Sequence, residues 1–217
     1  MSDRRSVMIV DDHPLVREWL TNLINQQQDM AVCGEADTAR EALRVVEQLK
    51  PDVVIVDIML SSGSGLELIK DIRRILPETL ALVLSLHDEL TYADRALKAG
   101  ARGYVSKRDS TRKVISAIRE VSAGRIFVSP EVQALITERY AGNRETGSDL
   151  AILSDREMEV FRMLGQGQDT RGIADSLCIS IKTVQAYCTR IREKLGLEGH
   201  HELMREAIRW WENQSRG

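Results

Sequence analysis

Two uninterrupted apolar runs, each closed by acid, constrain this 217-residue chain more than any other feature. Val7-Met8-Ile9-Val10 leads into Asp11-Asp12, and Val53-Val54-Ile55-Val56 leads into Asp57. A strand with one face in water alternates apolar and polar residues. A run without alternation belongs to a strand covered on both faces, which means a parallel sheet between helices. Further strand candidates at 31–36, 80–86 and 103–106 join those at 7–11 and 53–57. Helical periods near 14–27, 38–49, 65–76, 90–99 and 111–123 separate them. Five such repeats predict an α/β, doubly wound, five-stranded parallel sheet over residues 1–126.

The remainder is helical. A stretch from Pro130 to about Tyr140 is followed by Gly142-Asn143-Arg144-Glu145-Thr146-Gly147-Ser148-Asp149, polar and without an apolar period. We read 127–149 as a helical linker and 150–217 as a small all-α domain. Ser154, three residues before Glu157, forms a capping-box signature ahead of Met158 and Phe161. A short helix near 170–177 follows. Ser180 then caps a third helix that stops at Gly196. On this third helix Val184, Tyr187, Cys188, Ile191 and Leu195 fall on one face. Lys182, Gln185, Ala186 and Thr189 fall on the other, flanked by Arg190 and Arg192.

Hydrophobic residues make up 43% of the chain and aromatics only 4%, so its cores are aliphatic. No apolar run approaches the roughly 18 residues of a membrane span, and Met1 to Arg5 lead straight into a strand. Cys33, Cys178 and Cys188 are odd in number and lack CxxC spacing, which fits buried free thiols in a reducing cytoplasm. His13, His87, His200 and His201 form no metal-ligand pattern with them. Net charge is -3, and residues 151–217 carry ten basic and ten acidic side chains. Any charge for DNA must therefore be local.

In an open parallel sheet, ligands sit beyond the carboxyl ends of the strands. Asp11, Asp12, Asp57, Ser85 and Lys107 all fall there. Each residue type is ordinary at a strand end; five in register are not. Clustered carboxylates repel each other unless a cation is present, and Mg²⁺ accepts carboxylate and phosphate oxygens together. Lys107 and the Ser85 hydroxyl then suit a phosphate, leaving Asp57 as a nucleophile.

Asp11-Asp12-His13-Pro14, the run from Asp52 to Asp57, Ser85-Leu86-His87-Asp88 and Gly103-Tyr104-Val105-Ser106-Lys107 resemble the receiver domains of two-component response regulators. The resemblance covers about residues 5–125. It implies that Asp57 accepts a phosphoryl group from a sensor histidine kinase. It also implies Mg²⁺ held by Asp12, the Met59 carbonyl and Asp57, with Asp11 acting mainly through water. Ser85 and Tyr104 match the switch pair, and Lys107 the lysine that contacts phosphate. The loop after Asp57 departs from the family pattern: Ser61 stands at its proline position, while Gly65 and Leu66 remain. Leu86 stands where a small residue is frequent, narrowing access to Asp57.

Leu153-Ser154-x-Arg156-Glu157, Gly167, Ile173-Ala174, Ile179-Ser180, Lys182-Thr183-Val184 and Ile191-x-x-Lys194-Leu195-Gly196 resemble the LuxR-type helix-turn-helix of NarL/FixJ-class regulators. By position this implies Lys182, Thr183, Gln185, Ala186, Tyr187, Thr189 and Arg190 as the group facing double-stranded DNA. The combined expectation is a cytoplasmic, phosphorylation-controlled transcription regulator that dimerises on phosphorylation and is not an enzyme. Two rivals stand beside it. An acid cluster with Mg²⁺ also suits a phosphatase, and a charge-neutral helical domain also suits a protein-interaction adaptor that does not bind DNA.

Overall fold

The computed structural model describes residues 4–60, 63–86, 89–140, 149–177 and 179–215. Ser61, His87, Asp88, Cys178 and the polar stretch 142–148 lie outside them. The chain divides into two compact units, Met1–Ala141 and Gly142–Gly217.

The first unit begins with β1 (Arg5–Val10), α1 (Pro14–Asn25), β2 (Met30–Ala36), α2 (Ala39–Leu49) and β3 (Val53–Val56). A two-residue hairpin follows, β4 (Met59–Leu60) and β5 (Gly63–Ser64), then α3 (Gly65–Ile75) and β6 (Leu80–Ser85). The unit closes with α4 (Glu89–Ala99), β7 (Gly103–Ser106), α5 (Thr111–Ser122) and α6 (Pro130–Tyr140). Local chemistry sets several boundaries. Pro14 opens α1, where a missing N–H costs nothing. The Thr38 and Ser110 hydroxyls cap α2 and α5.

The main sheet is parallel throughout, in the order β2-β1-β3-β6-β7. Val7, Ile9, Val53, Ile55, Leu82, Leu84 and Val105 form one core with α1 and α5, including Leu20, Ile24, Val114 and Ile118. The alternate residues Met8, Val10, Val54, Val56 and Val83 are equally buried on the opposite face. Both faces are therefore dry, as the unbroken apolar runs require. The expected strands reach one residue too far into Asp11, Asp57 and Leu86, because the ladder stops at Val10, Val56 and Ser85.

The second unit holds a 3₁₀ turn (Asp149–Ile152), α7 (Asp155–Gly165), α8 (Thr170–Ser176), α9 (Ile181–Leu195) and α10 (His200–Ser215). Phe161, Leu164, Ile173, Val184, Ile191, Leu203 and Ala207 are buried, and the Trp210 ring lies 5.8 Å from that of Phe161. The Ser154 capping box is present in both directions, and Gly196 ends α9 in the left-handed conformation at φ 65°. Asp169 caps α8 by accepting from the Gly172 N–H at 2.7 Å. His200 and His201 occupy the first turn of α10 and are exposed.

Candidate functional site

Register builds the acidic site. Val10 pairs with Val56, Val56 with Val83, and Ser85 with Ser106, so the residues after each strand line up at one edge. Two backbone bonds extend that alignment: the Asp57 N–H donates to Val10 O and the Lys107 N–H to Ser85 O. The side chains then meet. Lys107 Nζ lies 2.6 Å from Asp57 Oδ2 and 2.5 Å from Asp11 Oδ2, with all three side chains at least nine-tenths buried.

Burial pushes the Asp57 carboxyl above the ordinary aspartate range; the Lys107 ammonium opposes that, and the Asp11 charge adds to it. For Lys107 burial acts against the charge, but Asp57 and Asp11 outweigh it and hold the pKa above the ordinary lysine value. Asp11, Asp12, His13 and Asp57 offer ligand atoms all within 4.8 Å of one another. Three carboxylates suit a hard cation such as Mg²⁺, and Asp12 is the most open of them. The His13 Nδ1 lies 2.8 Å from Asp12 Oδ1 and 3.2 Å from Asp11 Oδ1. A search for His and Cys spacing alone misses His13; its adjacency to Asp11-Asp12 is the signal that finds it.

Met59 lies in β4, and its N–H donates to Asp57 Oδ1 at 3.2 Å. Ser85 and Tyr104 are both fully buried. Leu86, expected to narrow access to Asp57, keeps 56% of its surface exposed, and Lys107 is a buried neighbour of Asp57.

The second unit presents α9. Lys182, Gln185, Ala186, Thr189 and Arg190 are exposed along it, while Thr183 and Tyr187 are half-buried. The Thr183 Oγ1 lies 2.8 Å from the Ser180 Oγ, and the Arg190 guanidinium stands 5.7 Å from the Tyr187 ring centre. Thr189 donates its hydroxyl to the Gln185 carbonyl. An ion pair fixes α9 against α7: Lys194 Nζ reaches Glu157 Oε2 at 2.6 Å, although Glu157 is also spent on the capping box. Burial would raise the Glu157 pKa, yet Lys194 and Ser154 outweigh it and hold it below the ordinary glutamate value.

Glu157 therefore contributes stability that is complete above the ordinary glutamate pKa and lost as pH falls through the lowered one. Replacing it removes a cap and a charge-assisted bond together, so Glu157→Ala should destabilise this unit by about 2–3 kcal/mol. Urea titration in a Trp19→Phe background would read this through Trp210 and Trp211. A difference from wild type that does not shrink on acidification would rule out the ionised pair.

Residues 7–119 match the response regulator receiver domain family, and residues 151–207 match the luxR family of bacterial regulatory proteins. The chain belongs to the response-regulator family. It is a phosphorylation-controlled DNA-binding transcription regulator of the NarL/FixJ class, a family of regulators rather than enzymes. The transcriptional activator protein ExaE of Pseudomonas putida is 38% identical over 93% of this chain and 95% of its own. The response regulator GacA of Pseudomonas aeruginosa is 33% identical over 94% and 95%. RcsB of Salmonella enterica serovar Typhimurium has been solved bound to promoter rprA in the presence of phosphomimetic BeF₃⁻. It is 27% identical, covers 94% of this chain and 98% of its own, and superposes with a TM-score of 0.66. Among the described residues of this response regulator, no helix is long and apolar enough to cross a membrane.

Proposed function

We propose that Asp57 is the phosphoacceptor. Its carboxylate oxygen attacks the phosphorus of a phosphohistidine on a sensor kinase, the P–N bond breaks, and the imidazole leaves with a proton. The observation that carries this reading is the buried Lys107 Nζ held between Asp57 and Asp11 at the carboxyl edge of the sheet. Asp12, Asp57 and the Met59 carbonyl would hold Mg²⁺, with Asp11 acting mainly through water. The bound cation would neutralise charge on the transferred phosphoryl oxygens. Lys107 takes one of those oxygens, and the Ser85 hydroxyl donates to another. Ser85 and Tyr104 then form the switch that reports the phosphate.

Residues 1–126 form the receiver, 127–149 the linker and 150–217 the DNA-binding domain of a cytoplasmic regulator. Two phosphorylated protomers pair on double-stranded DNA, with half-sites about one helical turn apart, roughly 10 base pairs. Lys182, Thr183, Gln185, Ala186, Tyr187, Thr189 and Arg190 face the DNA. Gln185 suits the paired donor and acceptor of an adenine edge, and Ala186 and the Thr189 methyl suit a thymine methyl. Lys182 and Arg190 take phosphates.

Binding titrations on specific and scrambled duplexes at several salt concentrations test this assignment. Gln185→Ala should cost about 1–3 kcal/mol on the preferred site and little on scrambled DNA. Lys182→Ala should weaken both and reduce the salt slope by about one. Equal loss on both duplexes for Gln185→Ala would move that residue to the phosphate contacts. Phosphorylation of the wild-type chain should raise its DNA affinity; no change in a gel shift, with labelling confirmed, would count against phosphate as the switch for DNA binding.

A further inference from the structure

Between α5 and α6 the chain does not run free over the surface. Phe127 adds a single parallel bridge to the outer edge of β7 at Gly103. The Tyr104 N–H donates to Phe127 O, and the Phe127 N–H donates to Arg102 O, both at 2.9 Å. Gly103 permits the approach, since a Cβ there would stand 2.8 Å from Phe127 O.

Two residues later comes the cap of α6. Ser129 caps that helix: its hydroxyl accepts from the Val132 N–H and its carbonyl from the Gln133 N–H. Its own N–H points to a different partner, donating to Glu89 Oε1 at 2.8 Å. Glu89 is the first residue of α4, four positions after Ser85. Beyond this bond α6 packs along α4. Val132 is buried and Leu135 and Ile136 are half-buried, whereas Glu131, Gln133, Ala134, Thr137 and Glu138 are exposed. The cap of α6 is thus tied to the start of α4 by a charge-assisted bond, and the chain just before it to β7 by the Phe127 bridge.

We infer that Glu89 is a positioning residue for signal output, its carboxylate fastening the cap of α6 to the start of α4. This rests on the reading that phosphate on Asp57 acts through Ser85 and Tyr104. A shift at the start of α4 carries the Glu89 carboxylate with it. Because that carboxylate holds the backbone of Ser129 directly, the motion passes into α6 and so into the linker that precedes the DNA-binding unit in sequence.

The test compares full-length wild type, Glu89→Ala and Glu89→Gln, each with and without a small-molecule phosphoryl donor and Mg²⁺. Two quantities are read: covalent phosphate on Asp57, and the ratio of DNA affinities with and without phosphate. Glu89→Ala should accept phosphate as wild type does, while its affinity ratio falls toward one. Glu89→Gln retains an acceptor oxygen and should keep most of the ratio. A purely structural role would lower stability in both variants but leave the ratio intact. Equal ratios in wild type and Glu89→Ala would overturn the inference alone, as would a Gln variant no better than Ala. A wild-type ratio of one would overturn the underlying reading and this inference with it.

Discussion

Asp57→Asn will not take up a phosphoryl group. The amide keeps the size of the carboxylate but has no anionic oxygen to attack phosphorus, so labelling should fall by at least a hundredfold, to background. Incubation with phosphoryl donor and Mg²⁺, read by intact mass, should show one base-labile phosphate on wild type and none on the variant. Equal labelling would remove Asp57 from the mechanism. The fold should survive, because Lys107 keeps its second partner, Asp11. Stability makes a further, separable statement. A carboxyl whose folded pKa is raised contributes stability below its ordinary pKa and loses it as pH rises through the raised value. With chelator present, the Asn variant should therefore gain on wild type in denaturant midpoint between acidic and neutral pH. A constant difference across that range would contradict the burial of the Asp57 charge. Asp12→Ala should behave differently, labelling only at raised Mg²⁺ concentration.

Gly65→Ala should be the most damaging single-methyl change in the receiver. Gly65 opens α3, donates its N–H to Ile58 O, and packs its α-carbon onto the strand end. A Cβ at this position would overlap Asp57 O and stand 2.8 Å from the Ile58 Cα. Both are backbone atoms, which cannot rotate away as a side chain does. The strand end or the helix must move instead, at a cost of about 3 kcal/mol or more. Movement of the strand end displaces Asp57 from Lys107, and Asp57 labelling should then slow by about tenfold or more even in protein that remains folded. Urea denaturation and labelling rates on the same preparation would check both. Wild-type values for both would mean that the contact between α3 and the strand end has slack the structure does not show.

The backbone plan was legible in the residues. Unbroken aliphatic runs ended by acid require strands covered on both faces, and the helical periods between them require crossovers. Capping residues set the boundaries: Ser154, Ser180 and Gly196 act where the sequence places them, because a cap depends on neighbours within four residues. The convergence of Asp11, Asp57, Ser85 and Lys107 was also readable, since an in-register parallel sheet brings strand ends to one edge.

What the sequence could not supply was the geometry between distant segments. The buried Lys107–Asp57 pair joins residues 50 apart, and the Lys194–Glu157 pair joins residues 37 apart. The β4–β5 hairpin is too short to carry a strand period. The Glu89–Ser129 bond has no local signature, because a glutamate at a helix start is ordinary and its acceptor geometry depends on where a later segment crosses. Local propensity and periodicity act over a few residues and so determine elements and their ends. Which charges meet, and which are buried, depends on sheet register and helix packing over the whole fold, and only the tertiary structure decides them.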